Sequence, residues 1–113
     1  MKKKSPDKMD RRILLAAADL IATNGLAKGY YARTVRGRKI DVDNPNAAMF
    51  CPIGAIERAQ LNECGRDDPA GMIRLGAAIM RVAGIDDIVA WADRASTSKK
   101  TVVRVMRAAA DQL

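Results

Sequence analysis

The residues that could carry catalytic chemistry are few, and their spacing argues against an enzyme. The chain of 113 residues contains two cysteines and no histidine. A catalytic zinc site, a serine–histidine pair and a cysteine–histidine pair ordinarily depend on an imidazole, so these chemistries are excluded. Cys51-Pro52-Ile53-Gly54 is not a Cys-x-x-Cys redox pair, and Cys64 follows at a distance. We expect both thiols to be small buried hydrophobic groups.

Paired carboxylates, which can support acid–base chemistry or bind metals, occur in three places. Asp67-Asp68 and Asp86-Asp87 each precede a predicted helix, where aspartate is favoured as a cap, and Asp41 and Asp43 lie in a turn. The glycines form no phosphate-binding loop. We therefore expect no enzyme, no catalytic residue, no metal site and no cofactor.

The net charge of +7 is distributed unevenly along the chain. Residues 1–39 contain 11 basic and 3 acidic side chains, residues 40–93 contain 4 and 9, and residues 94–113 contain 5 and 1. Basic ends and an acidic middle predict a strongly dipolar molecule. Basic surfaces commonly bind nucleic acid, although small basic proteins are also often simply soluble.

Apolar residues at helical spacing predict five helices. The predicted helices run from Ser5-Pro6 to Asn24, from about Cys51 to Asn62, from Asp68-Pro69 to Gly84, from Ile88 to Arg94, and from Ser98 to about Gln112. Aromatic residues make up only 4% of the chain and alanine is abundant, so the helices can approach closely. We predict a mainly α fold: residues 1–6 form a mobile basic tail and residues 7–113 a single domain, a compact bundle of about five helices with a short β-hairpin after the first.

The hairpin is predicted over residues 29–42. Tyr30 to Val35 is rich in β-forming side chains, and Gly37 suits the left-handed last position of a three-residue hairpin loop. Two strands alone are only marginally stable, so this ribbon should lean on the helices through Tyr30 or Tyr31.

Basic side chains crowd the same ribbon. Arg33, Arg36, Arg38 and Lys39 could contact phosphates while Tyr30 and Tyr31 stack on bases. The alternative is a solvated edge whose positive charges prevent strand-to-strand aggregation.

The C-terminal third resembles a DNA-binding motif. Within residues 87–106, a helix containing Val89 and Ala90 is followed by Ser98-Lys99-Lys100-Thr101-Val102-Val103-Arg104-Val105-Met106, which resembles the helix-turn-helix of repressors of the lactose-repressor type. The resemblance implies that Ser98 to Thr101 open a recognition helix. The alternative is an ordinary capped amphipathic helix with a solvated basic face.

Short motifs along most of the chain also resemble a family of small proteins from actinobacteria, other bacteria and their phages, a domain of unknown function. These motifs are Asn24-Gly25, Gly29-Tyr30-Tyr31-Ala32-Arg33, Phe50-Cys51-Pro52-Ile53-Gly54-Ala55-Ile56 and Val89-Ala90-Trp91. The family has no activity to carry over. The resemblance implies a bacterial or phage cytoplasmic protein in which Cys51, Gly54 and Ala55 form a close helix-packing spot rather than a reaction centre.

The leading hypothesis is a basic, non-enzymatic accessory or regulatory factor that binds DNA or RNA. The alternative is an interaction protein, such as an inhibitor or adaptor, that covers an acidic surface of a partner protein. We expect no membrane association, and a homo-oligomer is compatible with the sequence. The contact residues predicted for either partner, expected to form one continuous exposed zone, are Arg33, Arg36, Arg38, Lys39, Lys99, Lys100, Arg104 and Arg107.

Overall fold

The first helix, α1, occupies Pro6–Asn24, and the other elements pack mainly around it. The computed structural model describes residues 6–113. The predicted cap Ser5 and the rest of the predicted tail before Pro6 lie outside the described residues. The end of α1 is confirmed: Gly25 has φ of +118° and donates its N–H to the Ile21 carbonyl at 2.8 Å. A side chain would be strained in this conformation, so glycine ends the helix here.

Four more helices follow in the described part of the chain: α2 (Pro52–Cys64), α3 (Pro69–Ala83), α4 (Ile88–Asp93) and α5 (Lys99–Asp111). At the start of three of these helices, a side chain accepts a hydrogen bond from a backbone N–H of the first turn and so caps the helix. The Cys51 sulfur accepts from Gly54 N–H at 3.3 Å, the Asp87 carboxylate from Ala90 N–H at 3.0 Å, and Ser98 Oγ from Thr101 N–H at 3.1 Å.

Asp68 departs from the predicted capping role. It precedes α3 with extended backbone, but its carboxylate makes no capping hydrogen bond. The backbone of Asp68 is instead held by Gln60, which donates to its carbonyl at 2.9 Å and accepts from its N–H at 3.0 Å. This exchange fixes the α2–α3 loop.

The short β-hairpin after α1 is confirmed, but its second strand differs from the prediction. Strand β1 (Ala32–Arg33) pairs antiparallel with β2 (Met49–Phe50). The stretch predicted to pair with it forms no strand, but it contributes a bridge from Lys39 to Arg33 and accepts or donates two hydrogen bonds, from Thr34 N–H to Arg38 O at 2.8 Å and from Ile40 N–H to Ala32 O at 3.2 Å. The chain turns away directly afterwards, because Asn44 N–H closes a turn on the Asp41 carbonyl.

The hydrophobic core lies where α1 packs against α2 and α5, with α3 against α5. Its largest fully buried side chains include Leu14, Phe50, Ile56 and Met106. Phe50 brings β2 into this core, and Val42 of the 38–42 stretch is buried there as well. No helix within residues 6–113 combines the length and the apolar character needed to cross a bilayer.

Gly54 marks a very close approach between α2 and the chain before β1. A Cβ at Gly54 would lie 2.1 Å from the carbonyl oxygen of Tyr31. The same oxygen accepts from Cys51 N–H at 3.1 Å. The packing spot implied by the family resemblance is therefore present, but it packs against backbone next to β1 rather than against another helix.

Gly54→Ala should destabilise the fold by about 3 kcal/mol, because the obstructing atom is backbone and cannot rotate away. Gly76→Ala is the matched control in α3: its Cβ would meet only Ile88 Cδ1 at 3.4 Å, and alanine favours helix by up to about 1 kcal/mol. Urea unfolding followed by circular dichroism measures both. Similar free energies of unfolding for the two variants would contradict this account.

Candidate functional site

The side chain of Arg33, which was predicted to contact nucleic acid, is hydrogen-bonded to backbone carbonyls of the protein. From its place on β1, its Nε donates to the Lys28 carbonyl at 3.0 Å and its Nη1 to the Gly37 carbonyl at 2.8 Å. The side chain is partly buried. The guanidinium therefore ties the hairpin turn to the loop after α1 and is a positioning group.

The turn itself is held by Thr34. Its N–H donates to the Arg38 carbonyl at 2.8 Å, and its Oγ1 accepts from the N–H groups of Arg36 and Arg38 at 3.3 and 3.2 Å. Gly37 has φ of +87°, as predicted for the last loop position. The side chains of Arg36 and Arg38 are exposed, and no carboxylate of the described residues pairs with them.

Lys39 contacts Tyr30, which in turn lies beside Tyr31. The Lys39 ammonium is 5.4 Å from the centroid of the Tyr30 ring, and the Tyr30 and Tyr31 rings are 6.0 Å apart. Both tyrosines line a cavity of about 320 Å³ that also contains carboxylates. The other residues lining it are Ile40, Asp41, Val42, Asp43 and Glu57.

This cavity is electrostatically acidic. Partial burial raises the pKa of Glu57, and the negative charges of Asp67 and Asp43 raise it further. A phosphate group would be repelled here. The predicted ribbon cluster is therefore divided between a basic side at the turn and an acidic side at the tyrosines.

Lys28 connects the hairpin to the C-terminal third, a role that sequence reasoning missed. Its ammonium donates to the carbonyls of Arg94 and Thr97, the latter at 2.7 Å. Next to it, Gly29 N–H donates to the Asp93 carboxylate at 2.9 Å. No local pattern could have revealed this role, since the acceptors lie more than sixty residues away in the α4–α5 loop.

The basic face of α5 is shorter than predicted. Lys100 and Arg104 are exposed and have no carboxylate partner among the described residues, and Lys99 reaches only the Ala22 carbonyl at 3.4 Å. Arg107, in contrast, pairs with Asp19 of α1 at 3.0 Å. The uncompensated charge therefore lies in the first half of α5.

The helices α4 and α5 do not form a helix-turn-helix unit. Such a motif needs a first helix that braces the recognition helix, but the six-residue α4 packs mainly on α2 and α3. The Ser98 hydroxyl donates a hydrogen bond to Thr101 Oγ1 at 3.1 Å. A broad face of α5 is buried, including Val102 and Met106. This helix is a core element with one exposed basic stripe.

Contacts of Lys99, Lys28 and Arg33 connect the start of α5 and the hairpin turn to the region at the end of α1. Lys99 reaches Ala22 near that end, and Lys28 and Arg33 link the α4–α5 loop to the hairpin turn. Elsewhere in the described chain, carboxylates neutralise several predicted or neighbouring cations. These ion pairs are Arg11 with Asp111, Arg12 with Glu63, Arg74 with Asp10 and Asp68, and Arg107 with Asp19.

The two cysteines differ from each other. Cys51 is buried as predicted, and desolvation raises the pKa of its thiol. The prediction for Cys64 was wrong: it is exposed, because the last turn of α2 extends beyond the core, and its sulfur lies 3.9 Å from that of Met9. Within residues 6–113, no three cysteine, aspartate or glutamate side chains converge in a way that could hold a metal ion.

A model of the family of unknown function DUF6197 matches residues 5–112, nearly the whole chain. The chain belongs to this family. Comparisons of this DUF6197 member with curated proteins and with solved structures give no match. The identification agrees with the resemblance seen in the sequence motifs. Membership in this family assigns no activity to the chain.

Arg33→Gln should lower the free energy of unfolding by about 2 kcal/mol, because two hydrogen bonds from a partly buried charge are lost. Arg36→Gln removes the same charge from an exposed side chain and should change stability by less than about 0.5 kcal/mol. Urea unfolding of both variants is the measurement. Equal stabilities would show that Arg33 does not hold the hairpin.

When native protein is treated with 5,5′-dithiobis(2-nitrobenzoate) at about pH 8, Cys64 should react quickly and release one equivalent of the coloured nitrothiobenzoate anion. Cys51 should react slowly, because it is buried and the pKa of its thiol is raised. Cys64→Ser should abolish the fast phase, and Cys51→Ser should leave it unchanged. The second equivalent should appear only in denaturant. Rapid reaction of both thiols in native protein would contradict the burial of Cys51.

Proposed function

We propose that this DUF6197 member is a small non-enzymatic protein that binds nucleic acid through a surface we call the basic edge. The basic edge consists of the side chains Arg36, Arg38, Lys99, Lys100 and Arg104. The observation that carries the proposal is that these cations lack carboxylate partners within the described residues and belong to two elements, the hairpin turn and the start of α5, that the contacts of Lys28 and Arg33 connect, whereas Arg107 is paired. We also propose a cytoplasmic location, in a bacterial cell or a phage-infected host, where nucleic acid is accessible.

The electrostatics of the basic edge favour a polyanion. Lys28 and Arg33 lie behind it and add two positive charges whose partners are neutral carbonyls. The chain as a whole carries +7. Phosphates that replace condensed counterions on such a surface gain free energy through counterion release, which makes binding steeply dependent on salt.

Lys39, Tyr30 and Tyr31 are left out of the proposed surface. They lie beside the acidic cavity that contains Asp43 and Glu57, where a nucleic-acid backbone would meet repulsion. In the described contacts the two tyrosine rings pack against each other, and the Tyr30 ring faces the Lys39 ammonium.

The test is fluorescence anisotropy with labelled DNA and RNA, single-stranded and duplex, titrated with salt. If the five side chains each contact a phosphate, the slope of log K against log salt should be about −3.5 to −4.5. Arg36→Gln/Arg38→Gln should make that slope shallower by about 1.5 and weaken binding at low salt.

The matched control is Lys8→Gln/Arg66→Gln. These exposed side chains carry the same charges and lie near the opposite end of α1, where Met9 approaches Cys64. Removal of these two charges should affect affinity much less. Equal losses in the two double variants, or no binding of wild-type protein to any nucleic acid at low salt, would contradict the proposal. The second result would favour an acidic protein surface as the partner.

A further inference from the structure

A groove lies between the hairpin turn and the segment that leads into β2. Its volume is about 690 Å³, within the range of small-molecule sites. We call it the turn groove, and its lining residues are Thr34, Val35, Arg36, Arg38, Pro45, Asn46, Ala47 and Ala48. Val35, which directly precedes Arg36, is 81% exposed and lines this groove.

One wall of the turn groove is the hairpin turn, which is fixed from inside. Thr34 Oγ1 accepts hydrogen bonds from the backbone N–H groups of Arg36 and Arg38, and the Arg33 guanidinium donates one to the Gly37 carbonyl. The positions of the two exposed arginines are therefore set by backbone that is already ordered. A ligand does not need to order this turn in order to bind, which lowers the entropic cost of binding.

The other wall is fixed by Arg58 of α2. Its Nη1 donates to the carbonyls of Val42 and Asn44 at 2.7 and 2.9 Å. The Asn44 side chain in turn accepts from Asn46 N–H at 2.8 Å, and Ala48 N–H donates to the Arg33 carbonyl at 2.9 Å. Both walls thus belong to one hydrogen-bonded unit.

The lining combines two chemistries that select a ligand. Arg36 and Arg38 supply positive charge, while Val35, Pro45 and the two alanines supply apolar surface. No carboxylate of the described residues lines the groove, in contrast to the acidic cavity at the tyrosines. A complementary ligand carries an anionic group beside an exposed apolar face.

We propose that the turn groove holds an unpaired nucleotide, so that the basic edge prefers single-stranded to duplex nucleic acid. The nucleobase would lie against Val35 and the adjacent phosphate would meet Arg36 and Arg38. A duplex offers phosphates but keeps its base faces stacked inside, whereas a single strand exposes them. This inference rests on the proposed function and names the form of nucleic acid that the same surface binds.

The test compares oligothymidylate of about 15 nucleotides, oligouridylate of the same length, a duplex of the same length and a strand with abasic sites in place of the bases. The abasic strand keeps every phosphate. Wild-type protein should bind the thymidylate or uridylate strand at least about fivefold more tightly than the abasic strand and the duplex at equal salt. Tighter binding of either the DNA or the RNA strand than of the abasic strand and the duplex supports the inference.

Val35→Ser isolates the apolar contact, because it leaves all charges in place and changes an exposed side chain. It should weaken single-strand binding about fivefold, the effect of losing on the order of 40 Å² of apolar contact, and leave duplex binding and the salt slope unchanged. The matched control is Val89→Ser, a 46% exposed valine on α4 that does not line the groove, which should have no effect on binding.

The two failures are distinguishable. If the abasic strand and the duplex bind as tightly as the intact strand, or Val35→Ser binds all probes like wild type, the turn groove holds no base, while salt-dependent binding through the basic edge still stands. If no probe binds at low salt, the proposed function itself is wrong.

Discussion

The Arg33 guanidinium, donating to the Lys28 and Gly37 carbonyls, is the interaction on which the candidate site depends. It joins the loop after α1 to the hairpin turn and so sets the positions of Arg36 and Arg38. A partly buried cation is costly unless its donors are satisfied, and both of these acceptors are backbone groups with no competing charge. The positive charge of Arg33 is therefore retained behind the exposed arginines rather than cancelled.

Charge pairing divides the surface of the molecule into regions with different character. Carboxylates of α1 pair with Arg74 and Arg107, a carboxylate of α2 pairs with Arg12, and one at the end of α5 pairs with Arg11. The buried Asp10 makes the shortest of these contacts, at 2.7 Å from Arg74. Three further carboxylates, those of Asp41, Asp43 and Glu57, line the cavity at the tyrosines. Among the cations of the described residues without a carboxylate partner are those of the turn and of the first half of α5, although the acidic and basic sides of the hairpin are only a few residues apart.

Local chemistry explains what could be predicted from the sequence. Prolines, cap residues and Gly25 place the helix ends, and Gly37 alone identifies the hairpin loop, because these effects depend on neighbouring residues. The pairing of β1 with Met49–Phe50, the anchoring role of Lys28 and the neutralisation of Arg107 by Asp19 join residues that are distant in the chain. No periodicity or capping signal encodes such contacts, so the composition of the basic edge required the structure.

The bond from Lys28 to the α4–α5 loop also has a consequence for biosynthesis. Its acceptor carbonyls, on Arg94 and Thr97, are made more than sixty residues after Lys28 itself. A contact of such long sequence separation forms late, since the loop that it closes must first be ordered. While the C-terminal third is still inside the ribosome, a nascent chain lacks both this anchor and the α5 cations, so the complete basic edge first exists after the last helix has docked onto α1.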